Sequence, residues 1–124
     1  MGTYLVRGGK RIEGEFAVRG SKNAALPILA ACVLAADEVV LENLPQIRDV
    51  SQTLEILREF GCSVTLTGRT AVIDSREMQA IALCGEAVRK MRSSILFLGA
   101  MLGRSGAGRI AYPGGCAIGK RPID

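Results

Sequence analysis

The sequence contains no histidine and no tryptophan, and its aromatic residues are two tyrosines and three phenylalanines. Without histidine, and without a Cys-x-x-Cys pair, the usual ligand sets for zinc are missing. With so few rings there is little for bases to stack on, and no known nucleic-acid-binding motif is present. We therefore expect neither a bound metal nor a nucleic-acid partner.

Long apolar runs are also missing. The longest, residues 24–36, contains Pro27 and is shorter than the roughly 20 residues that a membrane-spanning helix needs. The basic residues near the N-terminus are not followed by the apolar core of a secretion signal. We therefore expect a cytoplasmic protein without membrane contact, in which the cysteines stay reduced. The four cysteines are Cys32, Cys62, Cys84 and Cys116.

The composition that is present suits one domain with an aliphatic core. The chain has 124 residues, of which 48% are hydrophobic, and a net charge of +4. Basic residues gather toward the C-terminus, where Asp124 is the one opposing acid after residue 88. These residues are Arg89, Lys90, Arg92, Arg104, Arg109, Lys120 and Arg121. Such a basic pole suggests an anionic ligand, although a solvated face has the same composition.

Hydrophobic periodicity predicts an alternation of strands and helices. Residues 4–6 and 12–18 are predicted as strands, and residues 24–36 as a helix, opened by Ser21 and Lys22, that is buried on nearly all sides. A strand over 38–43 follows, then a helix begun by Asp49 or Ser51 and ended by Gly61. A hairpin over 63–73, a helix over 86–102, a turn over 103–108 and a strand over 109–112 complete the prediction. Residues 27–45 and 95–113 repeat one helix–turn–strand order, which suggests an α/β fold of repeated units.

Two short motifs lie at predicted helix starts. Gly20-Ser21-Lys22-Asn23 opens the apolar helix, where backbone N–H groups and the helix dipole favour an anion. Lys22 would add a charge and Asn23 a hydrogen-bond donor, but a plain cap with a solvated lysine fits these residues equally well. Arg92 has the fork geometry that matches phosphate. Taken alone, it fits an exposed helix arginine better.

A third motif is the loop over residues 113–124. Its glycines leave Cys116 uncovered, and Lys120 and Arg121 would stabilise the thiolate. A thiol in such surroundings can act as a nucleophile or as a general acid. A loop cysteine without a role is the less favoured reading of this pattern.

These motifs resemble those of the UDP-N-acetylglucosamine 1-carboxyvinyltransferase family. The resemblance is carried by residues 20–29, by Asn43-Leu44-Pro45 with Asp49-Val50, by residues 91–95 and by the loop 113–124, so it covers essentially the whole chain. It implies an inside-out α/β barrel-type fold of repeated β/α units, of which this chain would be the N-terminal part. Residues 1–21 would form strands that pack with a second domain, and residues 22–124 a partial first domain.

The resemblance also implies a reaction. The enolpyruvyl group of phosphoenolpyruvate would move to the 3-hydroxyl of UDP-N-acetylglucosamine in peptidoglycan synthesis, with phosphate release and no cofactor. Cys116 would be the catalytic acid, able to bond covalently to phosphoenolpyruvate and to react with fosfomycin. The implied substrate-binding residues are Lys22, Asn23, Arg92, Arg121, Pro122, Ile123 and Asp124. The implied partner is the missing C-terminal part of the enzyme, without which the segment should be inactive.

Three other functions remain open on these residues. A shikimate-pathway enolpyruvyl transferase would share the fold and chemistry, but its family lacks the Gly-Gly-Cys loop around Cys116. A small anion- or nucleic-acid-binding module is suggested by the basic pole alone. A redox-sensing thiol protein would need a resolving cysteine near Cys116, and none lies near it in the sequence.

Overall fold

The computed structural model describes residues 2–79 and 82–112. The helices are α1 (Lys22–Ala31), α2 (Arg48–Glu59), α3 (Glu86–Lys90) and α4 (Leu96–Ser105), with 3-10 segments at Cys32–Leu34 and Arg92–Ile95. The strands are β1 (Glu38–Leu41), β2 (Ser63–Thr67), β3 (Thr70–Asp74), β4 (Ala82–Leu83) and β5 (Arg109–Ile110). This mixture of helices and strands confirms the predicted α/β class.

The larger sheet has β3 at its centre. β1 and β2 lie on either side and both pair antiparallel with β3, so Ile73 faces Val39 on one side and Val64 on the other. Because both are antiparallel to β3, β1 and β2 run in the same direction, and helix α2 connects them along the chain. The β2–β3 hairpin turns at Gly68, whose φ of +60° is left-handed, as its position in the sequence predicts. A second, parallel pair is formed by β4 and β5.

The core lies where α1, α2 and α4 pack together over the sheet. It is mostly aliphatic, as the composition predicts, with one aromatic pair: the rings of Phe60 and Phe97 have centroids 5.4 Å apart. The largest fully buried side chains include Leu29, Val33, Leu54, Ile56, Leu57, Phe60, Ile73, Val88, Phe97 and Met101. Both predicted repeat units form helix, turn and strand, but β1 and β5 join different sheets.

The N-terminal segment departs from its prediction. Residues 2–19 are exposed and contain no strand, although strands were expected over 4–6 and 12–18. A strand needs a partner for its backbone N–H and C=O groups, and in the described residues no sheet edge pairs with this segment. Its apolar alternation is therefore present without the hydrogen bonds that would make it a strand. The packing of residues 1–21 with a second domain stays a prediction.

Helix α1 begins at Lys22, as predicted, but it is not buried on nearly all sides. Leu29 and Val33 are buried against α2 and α4, whereas Ile28 is 48% exposed and Leu34 is 50% exposed. The prediction was wrong in this respect because the apolar character of a helix surface shows only that the surface is able to be buried. The neighbouring elements decide how much of that surface is covered.

The third predicted helix is broken. At Met91 the backbone is extended (φ −131°, ψ 118°), which separates α3 from the 3-10 segment and α4. The hydroxyl of Ser94 donates a 3.0 Å hydrogen bond to the carbonyl oxygen of Val88, which supplies a side-chain partner near the break. Helix α4 then continues to Ser105 and ends at Gly106 (φ +71°), so the predicted turn over 103–108 begins too early.

Helix α2 also starts differently from its prediction. Its N-cap is Ile47, and Asp49 lies in the first turn, where its negative charge favours the positive end of the helix. The predicted stop at Gly61 is confirmed. Gly61 (φ +93°) donates to the Arg58 carbonyl at 2.9 Å, and Cys62 donates to the Leu57 carbonyl at 3.1 Å, which together form a Schellman cap.

None of the helices in residues 2–79 and 82–112 is long and apolar enough to cross a membrane.

Candidate anion-binding site

The start of α1 has the properties of an anion-binding helix end. Ser21 is the N-cap residue with an extended backbone, and its side chain makes no capping hydrogen bond. The first turn contains no acidic residue, whereas Lys22 is its first residue and Asn23 follows. The leading N–H groups of a helix have no intrahelical acceptor, and they carry the positive end of the dipole. This end of α1 therefore favours a negatively charged ligand.

A close backbone contact shapes the same place. A Cβ atom on Gly20 would lie only 2.1 Å from the carbonyl oxygen of Asn43, so the chain before α1 and the segment after β1 touch directly. Asn43 adopts a left-handed φ of +58°, and the next residue, Leu44, donates a 2.9 Å hydrogen bond to the carbonyl oxygen of Arg69. The fold thus brings together two of the segments that carry the family resemblance, residues 20–29 and Asn43-Leu44-Pro45.

A small cleft of about 160 Å³ lies between these two segments. Its lining residues are Gly20, Ser21, Ala24, Ala25, Ile28, Leu41, Glu42, Asn43, Leu44 and Pro45. Most of them are small or apolar, so the cleft would exclude water from one side of the α1 N-terminus. Glu42 is the one charged residue among them, and Lys22 and Asp49 are not part of the lining.

An ion pair joins the N-termini of α1 and α2. Nζ of Lys22 contacts Oδ2 of Asp49, which is the carboxylate in the first turn of α2. The Lys22 side chain is 52% exposed and the Asp49 side chain 31%. Two helix N-termini and one lysine therefore meet at the same end of the helical layer.

Helix α2 also connects this end to the segment that carries Arg92. The hydroxyl of Thr53 donates a 2.8 Å hydrogen bond to the carbonyl oxygen of Asp49 and lies 3.8 Å from Sδ of Met91. Met91 immediately precedes Arg92, which is the first residue of the 3-10 segment before α4. Thr53 on α2 thus contacts both Asp49, which pairs with Lys22, and Met91, which precedes Arg92.

The predicted site residues divide into two groups. The structure places Lys22 and Asn23 at the α1 N-terminus, and Arg92, partly exposed, at the start of the 3-10 segment before α4. The remaining predictions lie outside the described residues: the loop 113–124 with Cys116, Arg121, Pro122, Ile123 and Asp124. From the sequence, Asp49 is predicted as a helix cap and as part of a family motif, but not as a residue of the site. The signal that could have identified it is an acidic residue in the first turn of a helix that follows the Asn-Leu-Pro motif.

The described cysteines are free thiols with contrasting surroundings. Cys32 and Cys62 are buried, as expected for core positions, and burial raises the pKa of each to about 11. Cys84 is exposed. Neither Cys32 nor Cys62 can supply a thiolate near neutral pH, so the two core cysteines are unsuited to nucleophilic chemistry.

The described part of the chain holds no group of three or more Cys, Asp or Glu side chains arranged to bind a metal ion. The polar groups brought together at the α1 and α2 N-termini are an ammonium, an amide, a carboxylate and backbone N–H groups. The ammonium, the amide and the N–H groups are suited to hold an anion by charge and hydrogen bonds, whereas the carboxylate pairs with the ammonium.

The α1 N-terminus, with the exposed Lys22 and Asn23, is set on an α/β fold that occurs in a known family of proteins. Residues 6–124 match the family described as EPSP synthase (3-phosphoshikimate 1-carboxyvinyltransferase), and the chain belongs to that family. Among solved structures, the enolpyruvyl transferase NikO from Streptomyces tendae is similar, with a TM-score of 0.67 and 28% identity over 80% of this chain and 23% of that one. The fold expected from the resemblance is thereby confirmed.

Within this family, two similar proteins are UDP-N-acetylglucosamine 1-carboxyvinyltransferases. UDP-N-acetylglucosamine 1-carboxyvinyltransferase 2 from Caldanaerobacter subterraneus subsp. tengcongensis is 44% identical over 124 residues, which are 100% of this chain and 30% of the relative. UDP-N-acetylglucosamine 1-carboxyvinyltransferase 1 from Symbiobacterium thermophilum is 48% identical over 126 residues, covering 98% of this chain and 29% of the relative. The predicted family resemblance is confirmed, and the chain spans about 30% of the length of these relatives.

Proposed function

We propose that this chain is the N-terminal segment of a cytoplasmic enzyme that transfers the enolpyruvyl group of phosphoenolpyruvate to the 3-hydroxyl of UDP-N-acetylglucosamine. Phosphate leaves, and the product enters peptidoglycan synthesis. The observation that carries the proposal is the junction of the α1 and α2 N-termini at Lys22, in a chain 44% to 48% identical to enzymes with that name. Such a junction suits the phosphate of one substrate and the diphosphate of the other.

Enolpyruvyl transfer requires a phosphate-binding site and a proton donor. The sugar oxygen bonds to C2 of phosphoenolpyruvate while a proton is added at C3, and the adduct then loses a C3 proton and phosphate to restore the double bond. Lys22, Asn23 and the N–H groups of α1 would hold the phosphate, with Arg92 adding positive charge. Fixed donors of this kind stabilise charge as it develops in the transition state.

The loop over residues 113–124 would supply the rest of this half of the site. Cys116 would donate the proton at C3 and could bond covalently to phosphoenolpyruvate. Arg121 would contact the phosphate, and together with Pro122, Ile123 and Asp124 it would border the UDP-sugar. The roles of these five residues rest on the family resemblance of the loop.

Shikimate 3-phosphate is the main alternative acceptor, since the matching family takes its name from that reaction. Two observations favour the UDP-sugar instead. The curated relatives described above are named for UDP-N-acetylglucosamine, and the sequence has the Gly-Gly-Cys loop around Cys116. A nucleic-acid-binding module is disfavoured because the relatives are enzymes and the chain offers few aromatic rings.

The experiment joins residues 1–124 to the remaining C-terminal part of the Caldanaerobacter relative. We expect phosphate release from phosphoenolpyruvate that depends on UDP-N-acetylglucosamine and is absent with shikimate 3-phosphate. Cys116→Ser is the matched control for the loop and should lower the rate by about 10²- to 10⁴-fold, the range for a lost general acid. Release that depends on shikimate 3-phosphate instead would refute the assigned acceptor.

The 124-residue chain alone is expected to release no phosphate, because the opposing half of the site is missing. A binding measurement on the same chain separates the enzyme from the binding module. UDP-N-acetylglucosamine should bind weakly and single-stranded DNA should not bind at physiological salt. Turnover by the chain alone would show that the segment already holds a complete site.

A further inference from the structure

The ion pair between Lys22 and Asp49 joins the first residue of α1 to the first turn of α2. Lys22 extends from the first residue of α1 on a flexible four-carbon stem and is half exposed. Asp49 lies in the first turn of α2, and its backbone carbonyl accepts a hydrogen bond from the hydroxyl of the buried Thr53. The helix that carries Asp49 packs directly against α1.

We propose that Asp49 is a positioning residue for Lys22. Its carboxylate holds the ammonium at the junction of the α1 and α2 N-termini, in the place where the phosphate of phosphoenolpyruvate would bind. The inference rests on the proposed function, and it gives a role to a side chain that does not itself bind the substrate.

The ion pair with Asp49 does not prevent Lys22 from binding a phosphate group. An ammonium group has three N–H donors, so Lys22 can contact Asp49 and a phosphate oxygen together. The positive end of α2 offsets part of the negative charge of Asp49. A lysine already held at the site also loses less rotamer freedom when the phosphate binds, which favours binding.

The test uses the joined enzyme described above, with phosphoenolpyruvate as the varied substrate. Asp49→Asn removes the charge while keeping the shape, and we expect KM for phosphoenolpyruvate to rise about fivefold, the upper range for one partly exposed ion pair. Lys22→Gln should raise KM further, and Asp49→Asn should add nothing in that background. Asp49→Glu should recover part of the loss because it restores the charge.

The matched control is Glu55→Gln. Glu55 also forms an ion pair on α2, with Arg58, but near the other end of the helix. This variant should leave KM unchanged, and thermal unfolding of all variants shows whether α2 remains folded. A purely structural role of Asp49 would add to the effect of Lys22→Gln on KM.

Three results would overturn the inference. An unchanged KM in Asp49→Asn would mean that Lys22 needs no partner, and a lower KM would mean that Asp49 chiefly repels the substrate. An additive effect in the Lys22→Gln background would mean that Asp49 acts independently of Lys22. If the unmodified joined enzyme releases no phosphate with UDP-N-acetylglucosamine, the proposed function itself fails. An active enzyme that gives one of the three results above refutes only the role of Asp49.

Discussion

Gly20 and Asn43 touch so closely that only a glycine fits at the first position. The carbonyl oxygen of Asn43 lies 2.1 Å from the point that a Cβ atom on Gly20 would occupy, and Pro45 lies 3.2 Å from it. The two residues belong to different motifs of the sequence, separated by α1 and β1. Their contact brings the residue before the N-cap of α1 against the segment that leads to α2. It therefore helps to fix the position of Lys22, the first residue of α1.

Gly20→Ala should therefore destabilise the chain. A backbone oxygen cannot move aside as a flexible side chain can, so we expect a loss of roughly 1–3 kcal/mol, the range for overpacking. The measurement is urea unfolding. Gly99→Ala is the matched control, since nothing lies within 4 Å of its added Cβ in α4, and it should stabilise by about 0.5–1 kcal/mol. Equal effects at both glycines would contradict the close contact.

Arg104 joins three elements of the fold by hydrogen bonds. It donates to the carbonyl oxygen of Val33 at 2.8 Å and to that of Ser75 at 3.0 Å. Arg104→Lys keeps the charge but loses the fork, and we expect a loss of about 1.5–3 kcal/mol in the free energy of unfolding. The exposed Arg109→Lys should change it by less than about 0.5 kcal/mol. Similar changes in the free energy of unfolding for the two variants would argue against a stabilising role of the hydrogen bonds made by the Arg104 guanidinium.

The four thiols should differ in reactivity. We expect Cys116 to be alkylated first under limiting iodoacetamide at neutral pH, followed by the exposed Cys84. Cys32 and Cys62 should react last, because burial shields them and raises the pKa of each to about 11. Mass-spectrometric mapping gives the order, and denatured chain serves as the control in which the four rates converge. Labelling of Cys84 or Cys62 before Cys116 would refute the loop as the reactive centre.

The same assignment extends to the antibiotic fosfomycin. In the joined enzyme, Cys116 should be the thiol that the epoxide alkylates, since the loop thiolate attacks the ring while the active site holds the phosphonate. Cys116→Ser should abolish the mass increase, whereas Cys84→Ser should leave it unchanged. Alkylation that persists in Cys116→Ser would place the reactive group elsewhere.

Acid should weaken one surface ion pair in a defined pH range. The hydrogen bonds from Arg76 lower the pKa of Asp74 from 3.8 to about 2, so the folded chain favours the carboxylate. Its contribution to stability is therefore present above about pH 4 and is lost as the pH falls toward 2. The urea midpoints of the parent chain and of Asp74→Asn should converge over that range. Glu77→Gln, an exposed control on the same turn, should show a smaller change.

Several features of the fold follow from local chemistry and were predicted from the residues alone. Helix α2 stops at Gly61 and the hairpin turns at Gly68, because a left-handed backbone is a property of one residue and glycine adopts it without strain. The start of α1 at Lys22 was predicted from a cap residue and the apolar run behind it. The family was identified in the same way, from short motifs at fixed spacing.

Other features depend on contacts between distant residues and required the tertiary structure. The pairing of Lys22 with Asp49, and the contact of Gly20 with Asn43, arise only when α1 packs on α2. The outward exposure of Ile28 was likewise missed, because hydrophobicity is a property of a side chain whereas burial depends on its neighbours. The N-terminal alternation shows the same limit: a period of two is enough to suit a strand, but a strand forms only where another backbone supplies its hydrogen bonds.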